Sequence, residues 1–218
     1  VTDAPGPSAR FAAVLAWPGR SLDVPPGIDP GEYRLALLED TYEVVAGLEL
    51  VTPALVLDPP DQPDAEAVTW PGTPIVREPS LTGAFAALHA LGAESAALIA
   101  PDAPDLPPLL IGKLFRALGS APAAACRAEG GALVALAARL PLPAWLAAAL
   151  RDPALRDTGL DTPDALDRLR AAAPRPGLVP QAPGWHRLRT LDDLRFLDPG
   201  LEGWENTRAL LEGHPLGR

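Results

Sequence analysis

The chain is short of several residue types whose presence would point to particular functions. One cysteine, Cys126, stands among 218 residues. No internal disulfide can form, which fits a reducing compartment. Lysine also occurs once, at Lys113, and 28 acids face 18 bases for a formal net charge of −10. A nucleic-acid surface needs a clustered basic footprint, so that class is disfavoured. No basic segment followed by a long apolar one opens the chain, and no apolar run approaches ~18 residues. The expectation is a cytoplasmic protein with no membrane span. What the chain does have is apolar mass and proline: 48% hydrophobic residues and 28 prolines. That composition favours one domain with a sizeable core and rigid loops between short elements.

The stretch that organises the sequence is 98–110, Leu-Ile-Ala-Pro-Asp-Ala-Pro-Asp-Leu-Pro-Pro-Leu-Leu. Residues 96–100 form a short, uncharged, unbroken apolar run, the pattern of a buried parallel strand. Asp102 and Asp105 follow at once, in a turn stiffened by Pro101, Pro104, Pro107 and Pro108. A strand that empties into a rigid acidic turn and then a helix sets carboxylates at the carboxyl edge of a sheet, where open α/β folds bind ligands. The two aspartates could hold a divalent cation against a diphosphate. They could equally cap the helix that follows.

The rest of the chain alternates in the same way. A strand is expected over 10–17, followed by a loop containing Gly19, Arg20, Gly27 and Gly31, whose amides and basic side chain suit phosphate. An ordinary surface loop is the alternative. Residues 32–48 carry the helical period, with Leu35, Leu38, Tyr42, Val45 and Leu48 on one face. Strands are expected over 54–57 and 73–76, then a helix capped by Ser80 and running to about 91. After the acidic turn come a helix to about 118, the stretch 121–127, and the segment 129–136, which runs into an apolar strand. There Glu129, Gly130 and Gly131 suggest close approach of backbone to a ligand, or a plain hairpin turn. Short helices are expected over 142–150 and from Pro163, the latter introduced by Asp161, Thr162 and Pro163. A small strand is expected at 177–179, a capped helix after Thr190, and a last helix over 204–211. His89 and His186 read as structural. The domain is placed at 10–198, with a flexible arm at 1–9 and a helical extension at 199–218. The class is α/β with a mainly parallel sheet.

Several of these landmarks occur in the order of a known family. Pro18-Gly19-Arg20 resembles a P-G-R in its first loop, and residues 33–41 resemble its L-Y-R-A-L-L-x-D-T helix. Residues 81–88 sit at its L-G-E-R-L-x-x-A-F segment. Asp102-Ala103-Pro104-Asp105-Leu106-Pro107 resembles D-S-P-D-L-P, the most specific of the set. Residues 129–136 follow D-G-G-Y-x-L-I-G, residues 160–163 stand at W-S-T-P, and residues 189–194 at a terminal D-x-D-T-x-x-D-L. The chain thus resembles the TagA-type, selenodomain-associated transferases over roughly residues 11–198. That resemblance implies the glycosyltransferase-A, nucleotide-diphospho-sugar transferase fold, a single-domain sandwich with helices on both faces of its sheet. It also implies transfer from a nucleotide sugar or nucleoside triphosphate to an acceptor that the sequence does not name. By the same resemblance Asp102 holds Mg²⁺ or Mn²⁺ with Asp105 beside it, and Arg20 meets phosphate. Glu129 could then orient or deprotonate an acceptor hydroxyl.

Departures accompany the likeness. The K-T-R-L that follows P-G-R in the family is replaced from Ser21 onward, and its G-D is Glu78-Pro79-Ser80. The tyrosine of D-G-G-Y is Ala132, and the terminal acid has become Arg187 or Arg189. Losing phosphate-facing cations removes charge-assisted contacts. The competing reading is therefore a catalytically eroded relative that kept the fold as a nucleotide-binding or protein-interaction domain. In that reading Trp70, Trp145, Trp185 and Trp204 contribute to an interface, although buried core is their commoner fate.

Overall fold

A computed structural model describes residues 9–17 and 22–212. The expected residues Gly19 and Arg20, and the arm before Ala9, lie outside the described residues. Seven strands form one sheet: β1 (Arg10–Ala16), β2 (Thr52–Leu57), β3 (Ile75–Arg77), β4 (Ser95–Ile99), β5 (Ala123–Ala128), β6 (Leu133–Arg139) and β7 (Gln181–Trp185). Their order is β3-β2-β1-β4-β6-β5-β7. Every pairing is parallel except those of β6 with β4 and β5.

Both faces of the sheet are covered, which is why its strands read as continuous apolar runs rather than alternating ones. On one face Ala13, Leu15, Val56 and Leu98 meet Leu81, Phe85 and Leu88 of α3 (Leu81–Ala90), Leu146 and Leu150 of α5 (Ala144–Arg151), and Leu166 and Leu169 of α7 (Ala165–Ala172). On the other, Val14, Leu55, Leu57 and Ile99 meet α1 (Pro30–Ala46) and α4 (Pro108–Ala117), through Leu38, Tyr42 and Val45 of the first and Ile111, Leu114 and Phe115 of the second. Two short helices, α2 (Pro63–Ala67) and α6 (Pro153–Arg156), complete the main layers.

Asp29 caps α1, accepting from the amides of Gly31 and Glu32, ahead of Pro30 in the first turn. Ser80 caps α3 through the Gly83 amide, as its position in the sequence suggests. The last helix, α8 (Glu205–Leu211), lies against α1. There Trp204, fully buried, joins Tyr33, Leu37, Leu188, Leu194, Leu197 and Leu211 in a third apolar cluster. Asp40 of α1 accepts from the amides of Asn206 and Thr207 at 3.0 and 2.7 Å, satisfying donors that a helix start leaves open. Among the described residues, no helix is long and apolar enough to cross a membrane.

Two local expectations change. Gly177 and Leu178 fall on a 3₁₀ turn, Pro176–Leu178, that Val179 follows, and the strand comes later, as β7. Pro183 and Gly184 weaken its strand signal, yet β7 is an edge strand, where a missing N–H is tolerated. Helix α7 starts at Ala165 rather than Pro163, after Asp164 turns at φ 58°. Asp161 is thereby freed from capping and faces elsewhere.

Candidate functional site

The acidic turn leaves β4 at the carboxyl edge of the parallel strands. Thr41 of α1 donates to the Pro101 carbonyl at 3.1 Å and fixes one side of it. Neither aspartate caps α4. Pro107 holds the cap position without a side-chain bond and Pro108 begins the helix, so the first amide of the turn is absent. Both carboxylates point instead toward the C-terminal segment.

Asp105 is fully enclosed. Its Oδ1 accepts from Trp185 Nε1 at 3.1 Å and its Oδ2 from His186 Nε2 at 2.9 Å. The His186 ring stacks between Trp185 and Phe196, with centroids 4.8 and 5.5 Å away. His186 is thus a packing and pairing residue, in keeping with its structural reading from sequence.

Asp102 anchors a charge cluster. Arg187 grips it with two donors, Nε to Oδ1 at 2.5 Å and Nη2 to Oδ2 at 2.8 Å, and its Nη1 donates to the Leu133 carbonyl at 3.0 Å. Asp161 Oδ1 lies 2.6 Å from Arg187 Nη2 and 2.6 Å from Arg189 Nη1. Arg189 Nε is also 3.8 Å from Asp102 Oδ2. The local backbone explains the arrangement. Leu188 donates its amide to the Asp102 carbonyl at 2.7 Å and buries its side chain in the third cluster. The flanking arginines, two residues apart, then share the opposite side. Burial would favour neutral Arg187, but Asp102 and then Asp161 outweigh it, and its guanidinium is held above the usual range.

The cluster forms one wall of a cavity of about 1000 Å³ at the carboxyl edge of β1, β2 and β4. Trp17, Leu22, Arg34 and Arg156 also line it, and on the β2 side so do Asp58, Asp61 and Asp64. Because β1 lies between β2 and β4 in the sheet, the acidic edge and the guanidinium edge are separated by roughly two strand spacings, ~10 Å. The cavity is therefore polar at both ends, with paired guanidiniums and carboxylates on one wall, carboxylates on the other, and Asp29, Glu32 and Asp157 also in its lining. Trp17 is given room by Gly159, where an added Cβ would come within 3.0 Å of the indole.

The other residues that the sequence singled out are not all gathered here. Glu129 and Gly130 are exposed at the tip of the β5–β6 hairpin, and Gly130 and Gly131 turn at φ 82° and 97°. They are the turn glycines such a connection requires. Neither they nor Glu129 line the cavity. The sequence reading missed the cluster itself. It treated Asp161 as a helix start and the arginines at 187 and 189 as a loss, yet an acid exchanged for arginine opposite an aspartate was the available signal.

Asp102 and Asp105 do not fit a divalent cation as they stand. A cation of that kind binds ionised oxygens directly. Here both oxygens of each carboxylate already receive protein donors, two of them from a buried guanidinium. Among the described residues Asp40, Glu43 and Glu205 bring one oxygen each within 4.8 Å of one another, although both oxygens of Asp40 likewise receive donors, from Asn206 and Thr207. None of the three lines the cavity.

No protein-family profile matches the chain, and no curated protein matches it in sequence. Its fold is nonetheless that of the nucleotide-diphospho-sugar transferases. A candidate nucleotide-diphospho-sugar transferase of Desulfovibrio desulfuricans G20 superposes with a TM-score of 0.65 at 17% identity, over 94% of this chain and 97% of that one. A cytidylyltransferase of Leptospira borgpetersenii gives 0.55 at 13% identity, over 96% and 95%. The 4-diphosphocytidyl-2C-methyl-D-erythritol synthase of Anaerococcus prevotii gives 0.52 at 17%, over 82% and 88%.

Proposed function

We propose that this chain is a transferase that takes a nucleoside triphosphate or a nucleotide sugar as donor, with the cavity beside Asp102 as its site. The observation that carries the reading is a cavity at the carboxyl edge of the sheet with Arg187 and Arg189 on one wall and Asp58, Asp61 and Asp64 on the other. Its guanidinium edge suits the phosphates, since arginine forks match phosphate oxygens with paired charge-assisted bonds. Its acidic edge, Asp58, Asp61 and Asp64, suits groups that donate hydrogen bonds, such as sugar hydroxyls or an exocyclic amine. Trp17 offers an aromatic face to a base. The fold and the landmark resemblance to the TagA-type transferases support the same donor class.

In such a site an acceptor nucleophile forms a bond to the α-phosphorus and expels diphosphate, or to the anomeric carbon and expels a nucleoside diphosphate. Either way negative charge grows on the departing phosphate oxygens. Fixed positive groups stabilise that charge more than they stabilise the bound donor. Arg189, which lines the cavity, is the group positioned to do so, and Arg187, held by Asp102 and Asp161, secures the frame behind it.

The second reading is a relative that binds nucleotide without turning it over. One observation favours it: Arg187 occupies both oxygens of Asp102. A thermal-shift panel of nucleoside triphosphates and nucleotide sugars tests the donor class, because a ligand at ~100 times its Kd stabilises a fold by ~2.7 kcal/mol. Phosphorus NMR of the best ligand with a mixture of hydroxyl and amine acceptors then separates the two readings. Release of diphosphate or nucleoside diphosphate supports the transferase; binding without release supports the second.

A further inference from the structure

At Asp102, guanidiniums occupy the carboxylate oxygens that a metal ion would need. Two carboxylates, Asp102 and Asp161, enclose two guanidiniums, Arg187 and Arg189. We propose that this arginine pair stands in for a divalent cation, so that the chain binds the diphosphate of its donor without metal. The inference rests on the nucleotide reading of the cavity.

Geometry supports it in three ways. The cations are set by the protein. Arg187 is gripped by both oxygens of Asp102 and by the Leu133 carbonyl, with 6% of its side chain exposed. A metal entering there must displace a buried guanidinium and leave it unpaired, an unfavourable exchange. The cluster is also graded. Arg187 is the inner member, while Arg189 has 25% of its side chain exposed and lines the cavity. The outer cation is thus presented to a ligand and the inner one secures the frame. Finally, the charge is permanent. A guanidinium does not deprotonate near neutral pH and cannot be stripped by a chelator.

Calorimetric titration of the full chain with CTP, ATP, GTP, UTP, UDP-glucose and inorganic diphosphate tests this, each in EDTA and each with excess Mg²⁺ or Mn²⁺. The expected result is binding in EDTA with a Kd within about threefold of its value with metal, and at least a tenfold weakening in Arg189→Gln, the loss of one charge-assisted contact. Arg189→Gln is the variant of choice because Arg189 is partly exposed; circular dichroism and melting confirm that it is folded. Arg189→Lys, which keeps the charge but not the fork, falls between. Binding that appears only after metal is added overturns the metal-free inference and leaves the nucleotide reading standing. Equal metal-free affinity in wild type and Arg189→Gln overturns the role of the cluster. Failure of all six probes under both conditions overturns the nucleotide reading itself.

Discussion

Arg187 reaches across 85 residues of sequence to take both oxygens of Asp102, at 2.5 and 2.8 Å. The contact is two-pronged and almost wholly removed from solvent, and this makes it consequential in both directions. Paired, it fixes the acidic turn to the C-terminal segment. Broken, it leaves charge in a place that water does not reach.

Arg187→Met should therefore destabilise the fold by ~3–5 kcal/mol, the usual cost of orphaning a buried partner. Lysine at this position cannot form the fork and should recover only part of that. Adding Asp102→Asn to Arg187→Met should return part of the loss, since the orphaned charge is gone. Urea unfolding of the three variants measures each term. A loss below ~1 kcal/mol in Arg187→Met would show that the pair holds nothing together.

Asp40→Ala should cost ~1–2 kcal/mol, because two helix-start amides, of Asn206 and Thr207, lose their acceptor. The loss should be local. Hydrogen exchange is expected to speed up in α8 while β1 and β4 keep their protection.

Cys126 should be inert in the native protein. Burial pushes its thiol up to about 12, against a smaller opposing effect of the Trp185 backbone, and Sγ donates to the Pro183 carbonyl at 3.0 Å. The thiolate is the reactive form. An aromatic disulfide reagent at pH 8 should release nothing until denaturant is added, and then one equivalent.

Tyr33 should give the fold an alkaline limit. Burial, then the charges of Asp102 and Asp193, raises its phenol from 10.0 to about 12. The unfolded chain loses this proton first, so the stabilisation is complete below pH ~10 and is lost as pH climbs through about 12. Tyr33→Phe should flatten the fall in stability over that window, an effect of at most about 2–3 kcal/mol. Denaturant melts at pH 9, 10 and 11 read it directly.

Much of the framework was legible because local signals agreed with the tertiary result. The apolar run before Asp102 is a strand buried on both faces, the period of residues 32–48 falls on α1 and sets Leu38, Tyr42 and Val45 against the sheet, and Ser80 caps where capping chemistry places it. The cluster was not legible. Nothing local distinguishes an aspartate that starts a helix from one that turns away to a distant arginine, and Asp161 does the second. Asp102 and Asp105 read equally as caps or ligands, since the donors that decide their fate, Trp185, His186 and Arg187, lie 80 to 85 residues on. Strand β7 was hidden by Pro183 and Gly184, which only an edge position excuses.

The same distance has a bearing on biosynthesis. At ~5–20 residues per second, Arg187 leaves the ribosome roughly 4–17 s after Asp102. Through that interval the nascent chain can assemble β1, β2 and β4, but the acidic turn at their edge carries charges with no counterpart. It must stay hydrated, and that end of the sheet stays open, until the segment 185–189 arrives to close it.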